Sequence, residues 1–445
     1  MTATPQSSAA ASIDISSSSL ARRKDDTFFF DEVVFLVEDT LFKVPRNIFR
    51  RESEHFRNMF DIPQSEEVTL EGTCDEHPLV LLGYKAIDFQ RFLKVLLPLQ
   101  YGLIDLSSVE EWVSVLMLSH IWDFPTVKKR AIKNLDSLHI DSMDKATLAA
   151  QYEIDGWLHQ ILDAVARRDP GTELEHVVRI AVDWAIKNAG IRQSLYRPVG
   201  TRNGDFIPAN TSIQGEEYKR DELYYLSDVV IQVESTIFRV PRELLEYNSA
   251  YPLGYLHWHQ NRPLDGTDDE HPILLNRLKM DDFRQLLLIL FYPGDTTFSE
   301  LSPGSLMSLL ELCTTVQFTS IRTAVADKLE ASSEPLFPDL VDSVSFAFKH
   351  RDLLTTRLHR SVHDLVRRTQ PLKKAELEKL GLDCAIKVVE LREGVGFMIC
   401  CSRGRSRYGC RFDHTVNGHA QVDESERMEL DLSSAIFKMF KPGNY

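Results

Sequence analysis

The sequence predicts an α+β protein made of two like units. Each unit is a β-hairpin and short strands with a helix cluster, and each is followed by a helical extension. Three observations predict it: a segment that occurs twice, a run–break–run hairpin pattern, and matching amphipathic helices in both copies. Residues 28–46 read FFFDEVVFLVEDTLFKVPR and residues 224–242 read YYLSDVVIQVESTIFRVPR, with nine of 19 positions identical at an offset of 196. GTCDEHP at 72–78 returns as GTDDEHP at 266–272, at an offset of 194. A short loop deletion between elements produces that small change in offset.

In each copy a short apolar run (33–37; 229–233) meets a polar tripeptide, Glu38-Asp39-Thr40 or Glu234-Ser235-Thr236, and a second run follows (41–44; 237–240). That pattern reads as a hairpin. Val-Pro-Arg closes both, and a proline there suits the first turn of a helix better than a continued ladder. After the EHP segment, Asp88 and Asp282 are expected to cap a helix. Its apolar positions are Phe89, Phe92, Leu93, Leu96 and Leu97, against Phe283, Leu286, Leu287, Leu290 and Phe291. Both sets follow i, i+3, i+4, i+7, i+8, one buried stripe. A later helix repeats as Val127, Ala131, Leu135 and Ile321, Val325, Leu329. Helical extensions carry Trp157, Leu158, Ile161, Leu162 and Val165 after the first copy, and Leu354, Leu358, Val362 and Leu365 after the second.

The expected organisation is a disordered segment over 1–25, a first unit over 26–137, an extension over 138–190 and a linker over 191–222. A second unit then spans 223–331, an extension 332–393 and a tail 394–445. Gly, Asn, Pro and charges collect in the linker, where periodicity fails.

Composition narrows the function. The 445 residues suit several domains. The net charge of −15, from 66 acidic and 51 basic residues, counts against nucleic-acid or anionic-membrane binding by bulk electrostatics. The longest uncharged apolar run, 286–292, has seven residues, far short of the ~18–20 a membrane span needs. Six scattered cysteines make no disulfide framework, so an intracellular, reducing compartment is expected, cytoplasm and nucleus being indistinguishable.

The order of hairpin, V-x-x-x-x-F-[KR]-V-P-R, helices and acidic-capped helix resembles a BTB/POZ domain, twice over, at roughly 26–136 and 223–330. The resemblance departs from the commonest form at Pro45 and Pro241, where many members have His, and at Pro252, where the first copy reads as helix. It implies a non-catalytic protein–protein interaction scaffold or adaptor that pairs through the first hairpin and first helices. It also implies that an acid before the first strand and a base after the second meet at the pairing surface: Glu32 with Arg46, and Asp228 with Arg242. Pairing would give a homo-oligomer or, across a linker reaching ~30 Å, an intramolecular pseudo-dimer.

A substrate adaptor of a cullin-type ubiquitin ligase is the alternative. The hydrophobic-x-Glu tripeptide that such members carry is missing: 60–65 reads FDIPQS and 256–264 reads LHWHQNRPL.

A zinc- or nucleic-acid-binding regulator is the third reading. Cys401, Cys410, His414 and His419 offer thiolate and imidazole donors, though without a short Cys-x-x-Cys arm. Arg403, Arg405, Arg407 and Arg411 interleave with Tyr408 and Phe412, a pattern that can grip single strands. His257 and His259 alternate and would share a face on a strand.

No catalytic motif occurs: no G-x-S-x-G, H-E-x-x-H, phosphate-binding loop or dinucleotide fingerprint. An enzyme is therefore not expected, and no cofactor is implied.

Overall fold

The computed structural model describes residues 22–61, 71–157, 218–250, 266–276, 278–292, 301–332, 334–403 and 432–440. The chain divides into two compact units, Met1–Leu245 with Leu253–Met280, and Glu246–Pro252 with Asp281–Tyr445. The strands of both repeats fall in the first unit.

That unit holds eight described strands: β1 Arg23–Phe29, β2 Glu32–Val37, β3 Thr40–Pro45, β4 Leu79–Val80, β5 Lys219–Tyr225, β6 Asp228–Val233, β7 Thr236–Pro241 and β8 Ile273–Leu274. They form two four-stranded sheets, ordered β4-β2-β3-β5 and β1-β7-β6-β8. The hairpins fall where the repeated segment places them. Val37 opposes Thr40 and Glu32 opposes Pro45. In the second hairpin Val233 opposes Thr236 and Asp228 opposes Pro241. Each turn has two residues and opens at a positive φ, 55° at Glu38 and 54° at Glu234.

The apolar runs lack a strict alternation because both sheet faces are covered. Val33, Phe35 and Val37 are wholly buried on one face, and Val34 and Leu36 nearly so on the other. β4 and β8 join in parallel, Phe35 opposite Leu79 and Ile231 opposite Ile273. Before each lies a glycine whose peptide is tied to the neighbouring strand: Val34 N–H donates to Gly72 O and Val230 N–H to Gly266 O, both at 2.9 Å. Gly72 (φ +77°) and Gly266 (φ +84°) press on Val33 and Val229, where a Cβ would come within 2.9 and 2.8 Å. Left-handed backbone and close approach together require glycine at both positions.

The outer strands lie beyond the expected unit boundaries. β1 begins at Arg23, inside the segment expected to lack structure, and β5 begins at Lys219, inside the expected linker. Residues 1–21 and 158–217 lie outside the described residues, and with them most of the linker and the first extension beyond Trp157.

Helices Arg46–Glu52, Glu54–Phe60, Ala86–Leu96, Val109–Ile121 and Pro125–Ser137 complete the first repeat. Their core is aromatic: Phe42 meets Phe89 at 4.9 Å, Phe35 meets Phe49 at 5.0 Å and Phe92 meets Phe124 at 4.9 Å between ring centroids. Such rings combine large apolar burial with edge-to-face contact. Ser53 caps the second helix through the Phe56 N–H, and its hydroxyl donates to Trp122 O at 2.6 Å. Asp88 is not the cap expected of it. Its helix starts earlier, at Ala86, and the Glu38 carboxylate from the hairpin turn accepts the Ala86 N–H at 2.9 Å. The second counterpart likewise starts early, at Met280, leaving Asp282 inside its first turn. The first extension carries the helix Ser142–Gln151, and beyond it the Trp157 indole donates back to Asp136 of the preceding helix at 2.7 Å.

The second unit is helical among its described residues. Pro303–Thr315 and Thr319–Ala331 end the second repeat. Leu340–Lys349, Thr355–Arg367 and Lys374–Leu380 form its extension. The buried Arg357 ties the two parts: Nε donates to Leu329 O at 2.8 Å, and its terminal nitrogens donate to Ser332 O and Glu334 O. The next helix runs unbroken over Leu382–Arg403, across the boundary expected at 394. Gly394 and Gly396 do not end it; a glycine costs a helix interior only about 1 kcal/mol. The last described helix is Ser433–Phe440.

Candidate interaction interface

The two sheets of the first unit exchange their outer strands. β1 precedes the first hairpin in sequence, yet it runs parallel to β7 of the second, with Arg23 opposite Thr236, Lys24 opposite Ile237 and Phe29 opposite Arg239. β5 precedes the second hairpin, yet it runs parallel to β3 of the first, with Thr40 opposite Lys219, Leu41 opposite Arg220 and Lys43 opposite Tyr225. The junctions match bond for bond. Arg23 N–H donates to Ser235 O at 3.0 Å, as Lys219 N–H does to Asp39 O. Phe30 N–H donates to Arg239 O at 3.0 Å, as Leu226 N–H does to Lys43 O at 2.9 Å.

The bends in these strands have a shared cause. Asp25 Oδ1 accepts from the Thr27 and Phe28 N–H groups, both at 2.9 Å. Asp221 Oδ1 accepts from Leu223 at 3.0 Å and Tyr224 at 2.8 Å. An aspartate that takes the peptide N–H groups ahead of it interrupts the ladder locally, and the register shifts there in both strands. The shift drives one aromatic from each strand inward. Phe28 is fully buried, and Tyr224 is almost so, with its hydroxyl donating to Leu97 O at 3.2 Å.

The next residue of each strand sits among charges. Arg239 lies 4.5 Å and Lys24 4.2 Å from the Phe29 ring centre, and both cations bind Asp269 at 2.8 Å. In the other sheet Arg220 lies 4.4 Å and Lys43 5.7 Å from the Tyr225 ring centre. Asp75 accepts from Arg220 at 2.7 Å and from the Tyr225 hydroxyl at 2.6 Å. Burial pulls the Asp75 carboxyl upward, but the bonds from Tyr225 and Arg220 outweigh it and hold it below the usual range. Burial, then the bond to Asp75, pushes the Tyr225 phenol up to about 12.

Four residues were expected to meet as Glu32 with Arg46 and Asp228 with Arg242. The structure gives Glu32 a different cation. Glu32 pairs with Lys43 at 2.7 Å. Arg46 lies 5.2 Å from the Phe60 ring centre, and its N–H donates to Asp31 O at 2.8 Å. Arg242 N–H donates to Ser227 O at 2.7 Å. Asp228 faces Glu32, its counterpart in the other repeated segment, and feels the charges of Lys43 and Arg239. Burial first, then the Glu32 charge, pushes the Asp228 carboxyl up to about 7. Lys43 was missed, although the hairpin register carried the signal. With Glu32 opposite Pro45, the diagonal neighbour on the same face is Lys43, and likewise Arg239 for Asp228.

Residues 219–333 match the family model of the BTB/POZ domain. No curated protein matches the chain. BTB/POZ domains are protein–protein interaction modules, generally non-catalytic. The matched stretch begins at Lys219, the first residue of β5, so the exchanged strand falls within it. Among the described residues no group of three or more His, Cys, Asp or Glu side chains is placed to hold a metal ion. Cys401 lies on the helix Leu382–Arg403; Cys410, His414 and His419 lie outside the described residues, as do Arg405, Arg407, Arg411, His257, His259 and Pro252. No helix among the described residues is long and apolar enough to cross a membrane.

Proposed function

We propose that the protein is a non-catalytic interaction scaffold in which two BTB/POZ copies, the matched one and a diverged one at 26–137, pair within a single chain. The observation that carries this reading is the reciprocal exchange of β1 and β5 at the same offset of 196 that relates the two copies in sequence. Matching hairpin registers, paired glycines and equivalent junction bonds support a common origin for the copies.

Pairing within the chain follows from linkage. The two surfaces are held at an effective concentration on the order of millimolar, so the internal encounter wins over association between chains at ordinary protein concentrations. The surface that would otherwise mediate self-association is then already covered. Partner proteins are left with the faces of the helices and extensions, and the protein acts as a monomeric double module.

Light scattering on the full chain tests this. The expected mass is that of one 51.0 kDa chain, unchanged over a hundredfold dilution. A stable dimer at low concentration would defeat the reading.

A further inference from the structure

Glu32 and Asp228 open the central strands β2 and β6 and occupy equivalent positions in the two repeats. Each stands opposite a proline, which has no N–H to offer it. Glu32 spends one carboxylate oxygen, Oε2, on Lys43 at 2.7 Å; its other oxygen, Oε1, is buried and accepts no hydrogen bond. The cation on the other side is also engaged, since Arg239 binds Asp269, which in turn holds Lys24. Two acids thus face each other across the paired repeats, and the acceptor between them lacks a donor. Two ionised carboxylates that face each other around a buried, unbonded oxygen repel, and one proton between them removes the repulsion and supplies the missing donor.

We propose that Glu32 and Asp228 share a single proton, and that this proton locks the exchanged strands, so that the pairing of the two repeats tightens in mildly acidic conditions and loosens as pH rises. The proposal rests on the pairing reading above. The groups facing Asp228 are Glu32 from β2, Lys43 from β3 and Arg239 from β7. Tyr225 of β5 lies beyond them, held by Asp75. The direction follows from linkage. Asp228 binds its proton more tightly in the paired state than when separated and hydrated. Its contribution is therefore fully present below the ordinary carboxylate range and is lost as pH rises through about 7.

The test is hydrogen exchange by mass spectrometry on the full-length protein at pH 5, 6, 7 and 8, corrected for the intrinsic rate. The peptides to follow cover the Phe30 and Leu226 amides, which bond across the two junctions. The expected result is protection that falls by about a hundredfold between pH 5 and pH 8, and a flat profile in Asp228→Asn, whose amide N–H donates to Glu32 at every pH. Protection at both amides that does not change with pH in the wild-type chain would overturn the proton lock and leave the pairing intact. Absence of protection at any pH would overturn both. The wild-type profile decides the matter even if the variant fails to fold.

Discussion

The two junctions use one backbone scheme and different side-chain chemistry. At the β5 junction the acid of the repeated turn, Asp75, accepts from a phenol and a guanidinium, Tyr225 and Arg220. At the β1 junction its counterpart Asp269 binds two cations, Lys24 and Arg239, because Phe29 has no hydroxyl to offer. The main-chain bonds agree to 0.1 Å or better. Backbone pairing and the buried aromatic therefore fix the exchange, while the surrounding charges are interchangeable means of covering it.

The largest expected effect comes from the residues the junctions share. Phe28→Ala and Tyr224→Ala each remove a buried ring from an exchanged strand, and each is expected to destabilise the first unit by about 3–5 kcal/mol in urea unfolding. A much smaller loss in one of them would show that its strand is not anchored in that way. Next come Gly72→Ala and Gly266→Ala. Each forces a side chain into left-handed backbone and against a valine, and each should cost about 1–3 kcal/mol. Because the two contacts are alike, the two losses should be alike; a neutral result at one site would break the equivalence of the copies.

Tyr225→Phe converts the β5 junction to the chemistry of the β1 junction. It removes the bond to Asp75 and should cost about 1 kcal/mol, with the Asp75 carboxyl moving up toward its ordinary value in a titration followed by NMR. The smallest effect is expected for Lys24→Ala, an ion pair more than half exposed on the lysine side. A change of about 0–1 kcal/mol, shrinking further in high salt, is expected there.

Much of this could be read in the sequence, because the hairpins and helices write their own period. The run–break–run segments became β2–β3 and β6–β7, and the stripes at Phe89 and Phe283 became buried helix faces. β1 and β5 could not be read in this way. Arg23–Phe29 reads RKDDTFF and Lys219–Tyr225 reads KRDELYY, both charged and without alternation. They are strands because a remote edge in the other repeat accepts them, and local composition carries no sign of that edge. The charge partner of Glu32 was missed for a related reason. The family resemblance pointed to Arg46, whereas the diagonal of the first hairpin brings Lys43 to Glu32. That Asp228 faces Glu32 depends on contacts between segments far apart in the chain.

The exchange itself is the claim on which the rest depends, and cross-linking tests it most directly. In a chain carrying Arg23→Cys and Ser235→Cys, the introduced thiols lie where the Arg23 N–H meets Ser235 O. Mild oxidation should give a disulfide between them at the mass of a single chain, mapped by peptide mass spectrometry and independent of protein concentration. A linkage that joins two chains, or none while the protein is folded, would contradict exchange within one molecule.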